Sequence, residues 1–563
     1  MRAPVFTRSL LLMLAGGVGA GCGDDLPGSP LAGAGGIMGA GGLGTPSGAA
    51  GAGGAGPAAG PSATPAGGVR VFGGTARMLA SGPSCTQEAG ATGDRWCAFL
   101  AYGTDSDRLA QIRSLYVFNA SRAVAGQTVV CDPAIADPSC LLLTANLGVD
   151  AGGPALHGTF FQGDSLVYYE YQQGKLAPYV WRPGMPAGRL LATFATEEDA
   201  VYCTPAPRGT AVVCVLLPER NPDPNVGYAT LLLGKADGAA EPLLSAADNV
   251  IVWNADDAGF QQAFSFGFPP GPGDPVAWTT RDTASGPEVL KMQAAGEPGS
   301  RRAVASGVHQ WQVSPDGARW FWLRPDGGVI TLQRASFPTG EGPVDVYADV
   351  VDYSLGPADG TVVARTVDGT LVAIADHLGG TSETVLDTEV RALQSFSATG
   401  YVAYSKTYFD ATSGDLYVKS ADGTGACVLE ATHPVPFGLV SFSPDGAAIL
   451  WAHSHGDGFE AHYGRLRDCD AMSVANDITL IKPMGGQRVL YVDGYDEATG
   501  TGTLQVRPVA GDNTLAGAAP ARVAGQVDSY AILGLPGPMP QALVYTVNGG
   551  PAGDGVHVSW YAD

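Results

Sequence analysis

The sequence predicts an all-β domain built from repeated antiparallel units, and three observations support this. Beyond about residue 68, short stretches rich in Val, Tyr, Leu and Thr alternate with Gly, Pro and Asp, as in Tyr401–Ser405, which is typical of strands joined by tight turns. The chain contains 81 Gly and 41 Pro, and both residue types disfavour long helices. The same turn motifs recur along the chain, which indicates an internal repeat.

The N-terminus has the pattern of an export signal. Two arginines precede the apolar run Ser9–Ala20, which is too short to span a bilayer. Small residues then lead into Cys22, a pattern that resembles a bacterial lipobox, although Gly19 stands where a Leu is usual. The resemblance implies that residues 1–21 are a lipoprotein signal peptide and that Cys22 is acylated. The alternative is an ordinary signal peptide cleaved near Ala20, with Cys22 incidental.

A Gly, Ala, Pro and Ser-rich segment follows the cysteine. Residues 22–68 lack the apolar side chains needed to offset the entropy of ordering, so we expect a disordered tether with a reach of about 35–40 Å. The folded domain is predicted over residues 69–563. Gly23 rather than Asp follows Cys22, which by the rule known for enteric bacteria resembles an outer-membrane lipoprotein. We therefore expect a membrane-anchored protein of the bacterial cell envelope, facing either the periplasm or the outside.

The charge excludes one class of partner. The chain carries 54 acidic and 31 basic residues and a formal net charge of −23. Such a surface repels the phosphate backbone of nucleic acids. The partners that we expect are the membrane, through the lipid anchor, and a protein, peptide or glycan ligand.

The cysteines agree with export. Eight cysteines remain besides Cys22, and six of them form close sequential pairs separated by turn residues. Oxidised pairs persist outside the cytosol, and the CxxC spacing typical of zinc sites is absent. Connectivity does not follow from sequence alone, but sequential pairing is the simplest proposal. The predicted disulfides are Cys85–Cys97, Cys131–Cys140, Cys203–Cys214 and Cys427–Cys469.

The repeat is defined by its turns. Two Ser-Pro-Asp-Gly turns, each followed by an apolar strand, consist of Ser314, Pro315, Asp316 and Gly317 and of Ser443, Pro444, Asp445 and Gly446. Proline presets φ at the first corner, and glycine takes the positive φ that closes the turn. An Asp-Gly turn recurs one hairpin later, as in Ser420–Gly423, which is a good hairpin signal.

The best copies of this unit are Ser397–Glu430 and Val440–Asp468, which contain GDLYVKSADG and SFSPDGAAILWA. The unit resembles the TolB-like (WD40-like) β-propeller repeat, and the resemblance implies a β-propeller. Weaker copies are Asp94–Ala120, Gly163–Arg182, Gly209–Gly238, Asp274–Met292, Pro315–Gln333, Asp359–Ile374, Gly486–Arg507 and Gln541–Ala562. The period of about 49 residues suits a propeller. We predict one ring of about 7–10 blades. Two smaller rings, a tandem of β-sandwiches and a β-solenoid remain alternatives.

The ends of the chain suggest how the ring closes. The last unit ends in a strand with three residues after Trp560, so it lacks a fourth strand. An unpaired sheet edge is a liability. We expect Val69–Phe72 or Ala76–Ala80 to pair there.

One window is rich in metal-binding side chains. It contains four of the eight histidines and two carboxylates: His433, His453, His455, Asp457, Glu460 and His462. Alternate residues on a strand point the same way, so His453, His455 and Asp457 could converge, with His462 nearby, on a first-row metal ion. The alternative is an ordinary polar loop between the second and third strands of a blade. No other cofactor is predicted.

Function is less constrained than fold. No GxSxG nucleophile elbow, HExxH, GxxxxGK[ST] or CxxCH motif is present, so catalysis has no sequence signature here. We therefore expect a non-catalytic envelope lipoprotein that displays its propeller to a ligand. The alternative is an envelope hydrolase or lyase with its site at the mouth of the propeller channel.

Overall fold

The computed structural model describes most of residues 64–561. The gaps are residues 80–82, 87–93, 103–111, 136, 146, 148–158, 173–174, 196–198, 219–225, 239–242, 255–260, 263, 284–285, 357–360, 378–379, 411, 444–445, 456–457, 468, 485–487, 497, 510–518, 534–541 and 550–552. Five predicted features therefore lie outside the described residues: the signal peptide, Cys22 with most of its tether, Pro444, Asp445 and Asp457.

The described residues are almost entirely strand, as the turn-rich sequence predicts. They contain 41 strands, two short 3-10 turns (Pro298–Ser300 and Phe437–Leu439) and one short α-helix, α1 (Ala120–Val124). Asn119 caps α1, because its side chain accepts a hydrogen bond from the Arg122 backbone N–H at 3.0 Å. None of the described helices is long and apolar enough to cross a membrane.

The strands form consecutive antiparallel sheets, which we number as blades. Blade 1 contains β2 (Ala76–Met78), β3 (Trp96–Tyr102), β4 (Ile112–Asn119) and β5 (Cys140–Thr144). Blade 2 contains β6 (Phe160–Gln162), β7 (Ser165–Gln172), β8 (Lys175–Trp181), β9 (Arg189–Leu190) and β10 (Phe194–Ala195). Blade 3 contains β11 (Asp199–Pro205), β12 (Ala211–Pro218), β13 (Val226–Lys235), β14 (Leu244–Asn254) and β15 (Gln261–Gln262).

The next four blades follow the same plan. Blade 4 contains β16 (Ser265–Gly267), β17 (Pro275–Arg281), β18 (Glu288–Ala294) and β19 (Arg302–Ser306). Blade 5 contains β20 (His309–Val313), β21 (Arg319–Asp326), β22 (Val329–Ser336) and β23 (Val344–Tyr347). Blade 6 contains β24 (Val350–Leu355), β25 (Thr361–Thr366), β26 (Leu371–His377) and β27 (Gly380–Asp387). Blade 7 contains β28 (Ala392–Phe396), β29 (Tyr401–Ser405), β30 (Tyr408–Asp410), β31 (Ser413–Ser420) and β32 (Cys427–Pro436).

The last three blades are hydrogen-bonded into one ten-stranded sheet. It contains β33 (Ser441–Phe442), β34 (Ala448–His455), β35 (Gly458–Arg465), β36 (Ala471–Met484), β37 (Arg488–Asp496), β38 (Thr501–Pro508), β39 (Ala521–Leu533), β40 (Ala542–Val547), β41 (Gly555–Trp560) and β1 (Gly67–Phe72). The long strand β36 pairs with β35 through its first half and with β37 through its second half. It therefore ends blade 8 and begins blade 9, and β39 joins blades 9 and 10 in the same way.

The N-terminal strand completes the last blade. β1 lies antiparallel to β41 as the outermost strand of blade 10, with Val69 opposite Val558. Of the two predicted closing strands, the Val69–Phe72 segment takes this place, whereas β2 begins blade 1. β1 starts at Gly67, two residues before the predicted domain boundary.

The core is divided among the blades. Each pair of consecutive blades shares one hydrophobic cluster, and a further cluster joins blade 10 to blade 1 through residues such as Val558 and Phe99. Between blades 1 and 2, for example, Trp96 packs edge-on against Trp181 at 5.3 Å. The described blades therefore close into one β-propeller ring of ten, the upper end of the predicted range.

The predicted turns have the expected geometry where they are described. Gly317 and Gly446 have φ values of 68° and 67°, a left-handed conformation that favours glycine. The side chain of Asp316 accepts a hydrogen bond from the Ala318 backbone N–H at 3.0 Å and closes the turn after Pro315.

All eight described cysteines form disulfides. The bonds are Cys85–Cys97, Cys131–Cys140, Cys203–Cys214 and Cys427–Cys469. Three lie within a blade, and Cys427–Cys469 joins blade 7 to blade 8. Such bonds persist in an oxidising compartment, so they indicate an extracytoplasmic protein.

Candidate metal centre

Five side chains converge where blade 7 meets blade 8, and we call them the His–Glu cluster: Glu430, His433, His453, Glu460 and His462. They form two triads, Glu430 with His433 and His453, and His453 with Glu460 and His462. Within each triad the potential ligand atoms all lie within 4.8 Å of one another. His453 belongs to both triads, so the two form one continuous site.

Strand β34 supplies the central histidine. Its side chains alternate, and Ile449 and Trp451 belong to the hydrophobic cluster shared with blade 7. His453 and His455 continue the same face of the strand. His453 is buried and His455 is exposed. The side chains on this face of β34 are therefore apolar in the core between the blades and imidazoles near the end of the strand.

Strand β35 supplies the second half of the cluster by direct pairing. Glu460 lies opposite His453, and His462 lies opposite Trp451. The ring of His462 stacks on the Trp451 indole with centroids 5.2 Å apart and planes 15° apart. This stacking fixes the imidazole beside His453, since facing residues on paired strands are in side-chain contact.

Strand β32 of blade 7 supplies the remaining two residues from a bulge. Glu430 lies opposite Leu416 of β31, and Val435 lies opposite Gly414, so β32 advances five positions while β31 advances two. The surplus residues project out of the sheet and present His433 to blade 8. Glu430 Oε1 holds the bulge by accepting hydrogen bonds from the backbone N–H groups of Thr432 at 2.9 Å and His433 at 3.0 Å.

The imidazoles are packed as a group. The rings of His433 and His453 stack with centroids 4.4 Å apart, and those of His453 and His462 are 4.7 Å apart. Glu430 Oε2 lies 3.0 Å from His453 Nδ1. Glu460 lies 3.6 Å from His453 Nε2 through Oε2 and 3.6 Å from His462 Nε2 through Oε1.

Two ring nitrogens in this group are buried and lack a hydrogen bond. Among the described residues, neither His453 Nδ1 nor His462 Nε2 has a partner in suitable alignment, despite the short approach of Glu430 to His453. Leaving such atoms unpaired costs about 1–3 kcal/mol each. Coordination of a cation by these atoms would remove that cost.

The electrostatics favour the protonation states that bind metals. Burial alone raises the pKa of Glu430, but hydrogen bonds from Thr432 and His433 outweigh it and lower the pKa to about 2. Burial also raises the pKa of Glu460, yet Ser473 and the neighbouring imidazoles bring it below its ordinary value. Burial and the proximity of His453 lower the pKa of His462. Near pH 7 both carboxyls are therefore ionised and His462 is neutral.

The cluster suits a divalent first-row ion. Imidazole and carboxylate ligands bind such ions at about 2.0–2.2 Å, so the ligand atoms of one triad, which lie within 4.8 Å of one another, need to contract only modestly around an ion. Among the five residues, His433 is the most exposed, with 53% of its side chain accessible. The site therefore opens to solvent on the side of the bulge.

The structure brings together part of the predicted set. His453 and His462 belong to the cluster, while His455 lies at its rim, with Nδ1 3.8 Å from Glu460 Oε2. Asp457 lies outside the described residues. Sequence reasoning missed Glu430, because it belongs to the preceding repeat and contacts the window only across the interface between blades.

The comparisons with known proteins concern the fold. No protein-family model matches the chain, and no curated protein matches it. A prolyl endopeptidase structure matches with 13% identity and a TM-score of 0.36, over 62% of this chain and 52% of that chain. The β-propeller domain of the Trilobed protease from Pyrococcus furiosus matches with 9% identity and a TM-score of 0.31, over 55% and 93%. TolB from Acinetobacter baumannii matches with 14% identity and a TM-score of 0.21, over 62% and 77%.

These matches correct one prediction. The expected non-catalytic display protein is wrong, because several of the matched structures, the tricorn protease among them, are peptidases. This chain spans about half the length of the prolyl endopeptidase, and the identities are too low to transfer any activity.

Proposed function

We propose that this protein is a metal-dependent enzyme of the cell envelope, a hydrolase or a lyase, with the His–Glu cluster as its metal centre. The observation that carries the proposal is the pair of triads that share His453, in which two buried ring nitrogens lack hydrogen bonds. Structural histidines of a blade core are normally satisfied by hydrogen bonds. Here His453 Nδ1 lies 3.0 Å from Glu430 Oε2 and His462 Nε2 lies 3.6 Å from Glu460 Oε1 without such a bond.

The donor set defines the class of ion. Three imidazoles and two carboxylates suit Mn²⁺, Fe²⁺ or Zn²⁺ better than Ca²⁺ or Mg²⁺, which prefer oxygen ligands alone. A divalent ion bound there would supply Lewis acidity toward a substrate oxygen or a water molecule. Glu430 Oε1 is engaged in holding the bulge, so its Oε2 is the atom that remains for coordination.

The rim of the site supplies a candidate proton acceptor. His455 is half exposed, with 56% of its side chain accessible, and lies near Glu460 on the solvent side. An imidazole in that position can take a proton from water or from a substrate carbon. Hydrolysis and elimination both need such a group, so the geometry supports either reaction, on a peptide or on a glycan.

Metal binding is tested first. The purified protein, stripped with a chelator and titrated with Mn²⁺, Zn²⁺ or Ca²⁺, should bind about one equivalent of a first-row ion more tightly than Ca²⁺. His453→Gln should weaken that affinity by at least about 100-fold, because His453 serves both triads. His309→Gln is the matched control, since His309 Nδ1 also lies near a carboxylate, 3.5 Å from Glu288 Oε2, but belongs to neither triad. Equal affinities for the two variants would reject the site.

Catalysis is tested second. The protein should cleave a member of a panel of polysaccharides and peptides, and chelation should abolish the activity until a first-row ion is restored. His455→Gln should lower the rate while leaving the metal affinity within about threefold of the wild type, since the rim residue is outside both triads. Turnover that survives complete removal of metal would contradict the proposal.

We also propose that the enzyme is held at the membrane through an acylated Cys22. The short apolar segment before this cysteine and the Gly/Ala-rich tether after it support the proposal. Cells that express the wild type should incorporate labelled palmitate into the protein, and cells that express Cys22→Ala should not. Equal labelling of both would exclude lipidation at this residue.

A further inference from the structure

We infer that the Cys427–Cys469 disulfide controls the metal site, so that the His–Glu cluster acquires high metal affinity only after the bond has formed. This inference rests on the proposed function and concerns the regulation of the same site. It is carried by the placement of the bond relative to the ligands.

The two halves of the cluster belong to different blades. Glu430 and His433 lie on β32 of blade 7, whereas His453, Glu460 and His462 lie on β34 and β35 of blade 8. β35 and β34 are paired residue by residue, from Ala448 opposite Arg465 to His455 opposite Gly458. The blade 8 half is therefore preformed, and the position of β32 decides whether the site is complete.

The part of β32 that carries Glu430 pairs irregularly with β31. The register between β31 and β32 shifts on both sides of Glu430, between Leu416 and Tyr417 and again between Gly414 and Leu416. Val428, two residues before Glu430, is 60% exposed. Pairing with β31 is therefore irregular around Glu430, which weakens the constraint that the sheet places on this part of β32.

The disulfide supplies the missing constraint. Cys427 is the first residue of β32, three residues before Glu430, and is buried. Cys469 follows the end of β35, with its Cα 5.2 Å from that of Cys427. The bond therefore ties the start of the ligand-bearing strand of blade 7 to the end of the ligand-bearing hairpin of blade 8.

The backbone of Cys469, at the blade 8 end of the disulfide, has the unfavourable conformation expected if the bond constrains it. Cys469 has a φ of 56°, a left-handed conformation that is costly for a residue with a Cβ and persists only where the surroundings maintain it. When the bond is absent, this cost can be relieved by movement of the turn.

The chemistry of the switch is a dithiol–disulfide exchange. A dithiol reductant gives two electrons and two protons to the cystine, which becomes two thiols, while the reductant becomes a disulfide. The reduced chain, as it exists before export, would have a mobile β32 and an incomplete site. Metal would then be acquired in the oxidising compartment, after folding.

The test compares metal affinity with and without this bond. Mn²⁺ and Zn²⁺ affinities are measured for the oxidised wild type and for Cys427→Ser/Cys469→Ser, with Cys203→Ser/Cys214→Ser in blade 3 as the matched control. We expect a loss of at least about tenfold in the first double variant and less than about twofold in the control. Near-UV circular dichroism establishes that each variant is folded.

The outcomes separate this inference from the proposed function. Equal affinity in the wild type and Cys427→Ser/Cys469→Ser would show that the disulfide does not regulate metal binding, and the proposed metal site would still stand. Absence of metal binding by the oxidised wild type would reject the metal site itself. If the double variant unfolds, the wild type is reduced with a phosphine that is then removed, and Mn²⁺ alone is used because free thiols bind Zn²⁺. Retention of full Mn²⁺ affinity in that sample overturns the inference in the same way.

Discussion

Gly446 is a residue at which a local conformation and a tertiary contact both forbid a side chain. Its φ of 67° is left-handed, and a Cβ placed there would lie 2.9 Å from the backbone nitrogen of Thr399 in blade 7. A β-branched residue there would be destabilised both by the φ value and by the crowding. We predict that Gly446→Val lowers the free energy of unfolding by about 3 kcal/mol, measured by denaturant titration.

The equivalent turn of the preceding repeat provides the control. Gly400 has a φ of 89°, and no atom lies within 4 Å of a Cβ built there. Gly400→Val should therefore cost about 1–2 kcal/mol, from the backbone conformation alone. Equal costs for the two variants would mean that the contact with Thr399 is unimportant.

His557 makes the pairing of β1 with β41, which we call the clasp, sensitive to acid. It lies on β41 opposite Arg70 of β1, and its Nε2 is buried without a hydrogen bond. Burial, and secondarily the Arg70 guanidinium, lower the pKa of His557 below its ordinary value, while a backbone hydrogen bond at Gly553 opposes them. The unfolded chain then binds the proton more readily than the folded one, so stability is present above the unfolded pKa, about 6.5, and is lost as the pH falls below it.

The loss of stability on protonation of His557 can be measured. Between about pH 7.5 and pH 5.5 the thermal midpoint should fall, and His557→Gln should reduce that fall. Some of it will remain, because burial also lowers the pKa of His462. An identical pH dependence in the wild type and His557→Gln would contradict the assignment.

Residues whose role is local could be predicted from sequence, and residues that act across an interface could not. The positive φ of Gly317 follows from the Pro-Asp-Gly turn that contains it. His453 and His462 could be proposed from their spacing. Glu430 lies in the preceding repeat and reaches His453 through a bulge, and neither the bulge nor the packing of the two blades has a sequence signal.

At the scale of elements, the hairpin of β11 and β12 is covalently fixed across its two strands. Cys203 lies directly opposite Cys214 in the register, with Cα atoms 4.0 Å apart and a separation of 11 residues in sequence. Closing so short a loop removes unfolded-state entropy worth about 2–3 kcal/mol. We predict that Cys203→Ala/Cys214→Ala lowers the unfolding free energy by that amount.

Non-reducing peptide mapping accompanies this measurement. It should recover the four linked peptides of the exported wild type and three in the double variant. Cys131→Ala/Cys140→Ala, which opens a loop with a separation of 9, should cost a similar amount. Free thiols in the exported protein would reject both the pairing and the extracytoplasmic location.

The elements that sequence reasoning missed are the shared strands. Each repeat could be predicted from its turns, because Gly, Pro and Asp interrupt the strands where the chain reverses. β36 belongs to two blades although the chain does not reverse within it. It changes its pairing partner from β35 to β37 at Ile478, and the register with β37 shifts between Ile478 and Leu480. A register shift of this kind depends on which strands lie on either side, so the local residues do not reveal it.

At the scale of the whole molecule, one strand closes the ring. Val71 of β1 is 2% exposed and lies in the cluster that joins blade 10 to blade 1. A carboxylate there would be buried without a partner. We predict that Val71→Asp lowers the unfolding free energy by about 3 kcal/mol or more and enlarges the radius of gyration in small-angle scattering.

Val367→Asp is the matched control, because Val367 is 67% exposed. It should change the unfolding free energy by less than about 0.5 kcal/mol. If both variants behave like the wild type, β1 is dispensable and the ring is held by the other blades alone.

The number of blades was the global property that the sequence could bound but not determine. Hairpins can be counted along a chain, but closure depends on the angle between successive sheets and on which strand pairs with the last edge. Ten units are compatible with one ring or with two. The ring of ten is defined by the hydrophobic clusters between consecutive blades and by the pairing of β1 with β41.

The clasp also has a consequence for biogenesis. β1 (Gly67–Phe72) leaves the ribosome before the rest of the described domain, while its partner β41 (Gly555–Trp560) is the last of the described strands to be synthesised. Completion of the fold therefore waits for a contact between the two extremes of the sequence, and contacts of such high sequence separation form slowly. Until then blade 10 presents an unpaired edge to the surrounding compartment, where strands of other chains can add to it. Chaperones that bind exposed strands would protect the protein most during that interval.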